Sequence, residues 1–169
     1  AFAAFTLTPC PRQTPAPRLG RPTTLYPARV PAGYTLPADP HARAALAYAL
    51  GQVGKPYVWG AAGPDAFDCS GLVQASWAAA GVPVGRITAT QVHDGTPVPG
   101  LGHIQAGDLL FIPGDEGSVS HPGHVGLYLG DSQVIDAYDS RHGVITEPLA
   151  RWAPKIVSIR RITPPRPGR

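Results

Sequence analysis

Apolar positions fall into two regimes along the chain. In DPHARAALAYALGQVG, residues Ala44, Leu46, Ala47, Leu50 and Val53 recur at loosely helical spacing. Asp39 suits an N-cap and Pro40 the first helical position, while Gly51 or Gly54 supplies a stop. A second stripe, Leu72, Val73, Ser76, Trp77 and Ala80, predicts a helix that opens near Cys69 and ends at Gly81. KPYVWGAAGPDAF, between the two, reads as a Gly/Pro-rich loop, and a short helix is predicted around TATQVHD. The period then changes. DLLFI, HVGLYLG, QVIDAY, GVITEPL and IVSIRRI are short, β-branched or aromatic, and separated by Gly, Asp and Ser. In HVGLYLG, Val125, Leu127 and Leu129 alternate with Gly126, Tyr128 and Gly130. These segments predict antiparallel strands. Helices followed by strands predict an α+β fold, with the N-terminal helices packed on one face of a central antiparallel sheet.

Composition adds flanks to this unit. Residues 1–38 are rich in proline, which resists helix and sheet, and read as an extended arm or linker. The patterned unit then spans residues 39–163, and residues 164–169 form a basic, Pro-rich tail. A length of 169 residues fits one such domain. Net charge is +3, with the excess mostly at the ends. The middle lacks the clustered Lys/Arg and aromatic residues of nucleic-acid readers, so no nucleic-acid partner is expected. No window approaches ~18 uninterrupted apolar residues, so no stable membrane insertion is expected either. Methionine is absent, which predicts a processed or trimmed chain from which any signal peptide has already gone.

The candidate chemistry centres on DAFDCSGLVQASW. A thiol attacks a carbonyl as thiolate, and a helix N-terminus favours the anion through its unpaired N–H groups and partial positive charge. Cys69 at the first turn of a predicted helix is placed for this. Ser70 and Gly71 are small enough for a substrate carbonyl to approach the backbone, where the Cys69 N–H can donate to an oxyanion. A nucleophile also needs a base. Of His41, His93, His103, His121, His124 and His142, only His124 opens a clear strand pattern. Asp136 in the next predicted strand lies beside it if GDSQ makes a tight turn, and a carboxylate there would fix the imidazole and favour its charged form. Three other readings of Cys69 compete: an inert core thiol, a disulfide with Cys10, and a metal ligand. A metal site drawn from His121, His124 and Asp136 has poor spacing for a strand face, so no metal or other cofactor is expected. On these residues alone the segment points to a cysteine acyl-transfer site.

GKPYVWGAAGPDAFDCSGLVQ followed by GDLLFI, HVGLYLG and QVIDAY resembles the NlpC-type cell-wall endopeptidases, a papain-like family. The resemblance covers roughly residues 40–162. It implies a papain-like NlpC-type fold, with Cys69 as nucleophile, His124 as base and Asp136 at a variable third position often held by histidine. It places Tyr57 beside the oxyanion and substrate site, and gives Asp68 a role in holding the free amine of a stem peptide. Gln91 and Asp108 also fall on family positions and read as structural. The implied activity is hydrolysis of amide bonds in peptidoglycan stem peptides, typically between D-glutamate, through its γ-carboxyl, and meso-diaminopimelate. The implied partner is the stem peptide, the place of action is the bacterial wall or the exterior, and a monomer suffices. A wall-binding module that does not cut, or a thiol transferase using an acceptor other than water, would use the same scaffold. Residues 1–38 are long and extended enough to lie over the groove as a blocking segment.

Overall fold

The computed structural model describes residues 32–164. Residues 1–31, which include Cys10 and most of the expected arm, and 165–169 of the expected tail lie outside the described residues. Helix α1 (Pro40–Gly51) starts as the sequence predicts: Asp39 accepts from the Ala42 N–H at 2.8 Å. Helix α2 (Cys69–Ala79) follows, and Gly81 takes the left-handed conformation just beyond its end, at φ 75°. A single turn, α3 (Thr88–Gln91), precedes the strands.

The buried face of α1 differs from the expected stripe. It consists of Ala42, Ala45, Leu46 and Ala49, whereas Ala47 faces solvent. In a helix so rich in alanine, apolar spacing cannot choose a face, and close approach of a neighbour does. Small side chains let α1 lie tightly on α2, and His41 Nδ1 sits 3.1 Å from the Ala80 carbonyl at the end of α2.

The strands are β1 (Thr96–Pro97), β2 (Leu109–Ile112), β3 (His124–Gly130), β4 (Gln133–Ala137), β5 (Val144–Pro148) and β6 (Ser158–Arg161). They form one antiparallel sheet in the order β1-β6-β2-β3-β4-β5. Leu109, Phe111, Val125, Leu127, Leu129 and Ile135 face α1 and α2, where Leu46, Leu72, Val73 and Trp77 complete the main core. This is the expected α+β layering. The other face is not left open. A short helix α4 (Leu149–Trp152), absent from the apolar pattern, drops Trp152 onto Leu110, Ile112, Val134 and Ile159. Trp152 Nε1 donates to the buried Glu147 at 2.8 Å.

Two expected structural residues hold loops to this frame. Gln91 donates to the carbonyls of Ser70 and Gly85 at 2.9 and 2.8 Å. Asp108 accepts the Gln105 N–H and a two-pronged contact from Arg161. Before α1, the Tyr34 hydroxyl donates to the Leu129 carbonyl, near the far end of β3 from His124. The described end of the expected arm therefore docks away from the cleft described next.

Candidate active site

The loop before α2 brings Tyr57 to the helix start. Tyr57 and Phe67 form a bridge, the Phe67 N–H donates to the Pro56 carbonyl, and the Val58 N–H donates to the Phe67 carbonyl. Cys69 comes two residues after Phe67, as the first residue of α2. Its N–H is one of the helix donors that have no intrahelical acceptor. The start is locked by Gly71, whose N–H donates to Asp68 Oδ1 at 2.6 Å. A Cβ on Gly71 would lie 2.1 Å from the Ala61 carbonyl oxygen. Gly71→Ala is therefore expected to push the loop off the helix start and to cost about 1–3 kcal/mol of stability, read as a lower melting temperature.

His124 approaches from the sheet. The Gly123 carbonyl lies 3.9 Å from Cys69 Sγ, so the residue before β3 touches the thiol. The β3–β4 turn has Asp131 and Ser132 both at positive φ, 48° and 55°, which suits a tight hairpin. The register pairs Leu127 with Ile135, so the two-residue period puts Asp136 on the same sheet face as His124 and Gly126. His124 Nε2 meets Asp136 Oδ2 at 2.7 Å. Cys69 lines the same cleft as the imidazole, and its proximity contributes to the raised His124 pKa. Gly126 has no side chain for a reason: a Cβ there would come within 2.8 Å of the Trp152 ring. That ring lies 5.5 Å from the imidazole, centroid to centroid, and forms a wall behind it.

Electrostatics favour a charged imidazole. Burial opposes the cation, but hydrogen bonds and negative charge at Asp136 and Cys69 outweigh it and raise the His124 pKa to about 10. Asp136 is wholly buried, and its Oδ1 has no hydrogen-bond partner among the described residues. Burial pushes its pKa up to about 6, against the pull of His124 and with a further push from the charge of Glu147. Burial and the charges of Cys69 and Asp68 raise the Tyr57 hydroxyl to about 12, so it remains a donor at neutral pH.

The structure thus brings Cys69, His124, Asp136 and Tyr57 together. A cleft of about 680 Å³ opens over Cys69 and His124, with Tyr57, Trp59 and Tyr138 on its walls. Trp59 is 77% exposed at the rim. Asp68 and Ser70, on either side of Cys69 in the chain, are buried and do not line this cleft. Asp68 caps α2, and both of its oxygens are engaged. Oδ1 accepts from the Gly71 N–H and from Arg86 Nη1 at 3.0 Å; Oδ2 accepts from the Gly60 N–H and from Arg86 Nη2 at 2.8 Å. The Ser70 hydroxyl lies 3.3 Å from Asp68 Oδ1 and accepts from Arg86 Nη1 at 3.2 Å. Cys69 forms no disulfide with any described residue. His121, the other half of the metal reading, hydrogen-bonds to the Ser120 hydroxyl.

Sequence reading missed Arg86 and did not place Trp152 against the base. Arg86 is a lone cation in VPVGRITATQ, 18 positions along the chain from its partner Asp68. Its only sequence signal was a charged residue among small and apolar ones before a short helix.

Residues 54–161 match the family model described as NlpC/P60 family. The chain belongs to the NlpC/P60 family. It is 38% identical over 110 residues to a probable endopeptidase of Corynebacterium glutamicum, covering 65% of this chain and 49% of that protein. Against the bifunctional muramidase/DL-endopeptidase CwlT of Bacillus subtilis, identity is 39% over 116 residues, 68% of this chain and 34% of the relative. The match thus spans about half or less of these curated relatives. Among solved structures, the peptidoglycan hydrolase RipB of Mycobacterium tuberculosis superposes with a TM-score of 0.60 at 32% identity, covering 72% of this chain and 64% of that one. The NlpC/P60 family is one of cysteine peptidases, and its fold is the layered α+β arrangement found here.

Proposed function

We propose that this NlpC/P60 domain hydrolyses an amide bond in peptidoglycan stem peptides, that between the γ-carboxyl of D-glutamate and meso-diaminopimelate, with Cys69 as nucleophile, His124 as acid–base group and Asp136 as its positioning residue. One observation carries the reading: a helix-start cysteine and a carboxylate-bound imidazole line one open cleft. The names of CwlT and RipB support the choice of polymer. No described helix is long and apolar enough to cross a membrane, and action at the cell wall fits the substrate.

The chemistry runs in two halves. The Cys69 thiolate attacks the carbonyl carbon, and the oxyanion is met by the Cys69 N–H and the Tyr57 hydroxyl. As the C–N bond breaks, His124 gives its proton to the leaving amine, which leaves a thioester on Sγ. Water then attacks this thioester while His124 takes a proton from it. The acid departs, and the thiolate–imidazolium pair returns.

This scheme has a defined pH dependence. It needs Asp136 ionised and His124 able to hold a proton. Acidification through about 6 protonates Asp136 and loosens the imidazolium, so turnover falls on that side. Alkali through about 10 removes the His124 proton and with it the leaving-group acid, so turnover falls again. A plateau between these limits in kcat/KM against pH is the expected result.

Fragment masses from a peptidoglycan of known stem chemistry test the assignment of the bond. Release of peptides beginning with diaminopimelate, each new carboxyl carrying one water oxygen, is expected. Products capped by an acceptor other than water, or cut at another bond, contradict it.

A further inference from the structure

This inference rests on the proposed cleavage reaction and specifies what the cleft reads in the leaving half of the substrate. In that reaction His124 protonates the leaving amine, so the diamino acid departs beside the imidazole. The lining around it carries unmatched charge. The β2–β3 loop contributes Asp115 and Glu116, which pair with no described residue. Asp139, after β4, is already engaged by His142 at 2.7 Å. Lys155 is the only lysine or arginine among the described residues that line the cleft. It is exposed and makes no hydrogen bond or ion pair with a described residue.

The chain on both sides of Lys155 is tied to the neighbours of the base. Trp152, three residues earlier, backs the imidazole at 5.5 Å between ring centroids. From it α4 runs on into a 3-10 turn, Ala153–Lys155. Three residues of such backbone rise only about 4.5–6 Å, so Lys155 begins about one turn from the ring behind His124. Two residues later the Val157 N–H donates to the Phe111 carbonyl, and Ile112, next along β2, pairs with His124. Lys155 therefore belongs to the wall on the imidazole's side, where the leaving half departs.

A carboxylate entering this cleft is repelled by Asp115 and Glu116 and attracted by Lys155. The imidazolium is already matched by Asp136 and the thiolate. A lysine ammonium, a compact charge on a flexible stem, can meet such a group without a preformed fork. The leaving half supplies one: the distal carbon of meso-diaminopimelate carries a carboxylate beside an ammonium. L-Lysine in that place carries the ammonium alone, and the amidated diamino acid carries it with a neutral amide. The two acids act on the ammonium that all three share, so only Lys155 separates them.

We infer that Lys155 is a specificity-determining residue that pairs with the distal carboxylate of meso-diaminopimelate, so that the domain prefers stems carrying the free diamino acid over stems carrying L-lysine or the amidated form.

The test uses L-Ala-γ-D-Glu-X-D-Ala with X as meso-diaminopimelate, its distal amide or L-lysine. A fourth peptide keeps meso-diaminopimelate and amidates the α-carboxylate of D-glutamate, in the acyl half. Binding to the Cys69→Ala protein is measured by calorimetry, which keeps recognition separate from cleavage. The free diamino acid is expected to bind about fivefold more tightly than the amide or the lysine peptide, the scale of one exposed ion pair. Added salt should narrow the gap. Lys155→Gln in the same background is expected to erase the preference or turn it toward the more cationic peptides, since Asp115 and Glu116 then act alone. Lys155→Arg, which keeps the charge, is expected to retain it. Equal affinity for the three X peptides, a preference that survives Lys155→Gln, or binding of none overturns the inference. Loss of affinity on amidating glutamate and not the diamino acid would assign Lys155 to the acyl half and overturn it as well. If the preference holds and wild type cuts none of the peptides, the cleavage reading fails and the selectivity stands. If wild type cuts all of them and no preference is seen, the cleavage reading stands and this inference fails.

Discussion

Cys69→Ala is expected to abolish peptide release from purified sacculi, with turnover falling at least ~10⁴-fold while the melting temperature changes little. The size follows from the role. Removing Sγ deletes the bond that divides amide hydrolysis into two easier steps, and the remaining oxyanion donors act on a weaker nucleophile. The small effect on stability follows from the site: the thiol touches the Gly123 carbonyl at 3.9 Å, and the helix start is held by Asp68 and Gly71 regardless. Chromatography of released peptides with mass detection reads the result. Equal release by the two proteins would leave the fold as a wall-binding scaffold.

Asp136→Asn is expected to lower turnover by roughly 10²–10³-fold, less than loss of the nucleophile. The carboxylate touches no substrate. It accepts from His124 Nε2 at 2.7 Å and stabilises the imidazolium. An amide of the same shape can still hydrogen-bond, but it carries no charge and can present an N–H donor to the ring instead. The upper pH limit of turnover should then move down from about 10, because the substitution removes one of the groups that raise His124. An unchanged alkaline limit with unchanged turnover would take Asp136 out of the mechanism. Neutralising Glu147 is expected to move the acid limit down from about 6 instead, since its charge helps raise the Asp136 pKa.

The parts of the fold legible in the sequence were those governed by local rules. Asp39 and Pro40 mark the start of α1 because capping and fixed φ act within a few residues. The alternation in HVGLYLG appears because β3 buries one side against the helices. Cys69 and His124, the proposed nucleophile and base, stood out for the same reason, each lying at the first residue of a patterned element. What escaped was set by distance. The face of α1 depended on where α2 lay, since its alanines are nearly interchangeable. The α4 turn carries too few apolar residues to show a period, although its Trp152 backs the imidazole. Arg86 and Asp68 meet only after a loop folds back over the start of α2, and one lone arginine does not announce its partner. Asp68 stood out as the acid beside Cys69, but its saturation by five donors did not.

The pairing of Cys69 with His124 underlies all of this chemistry, and the rate of Cys69 alkylation by iodoacetamide at pH 6, followed by intact mass, probes it without any substrate. Wild type is expected to react readily, and His124→Ala to react more slowly by about tenfold or more, because an unassisted thiol is nearly all protonated at that pH. Equal rates in the two proteins would mean that the imidazole does not act on the sulfur, and the proposed mechanism would have no nucleophile.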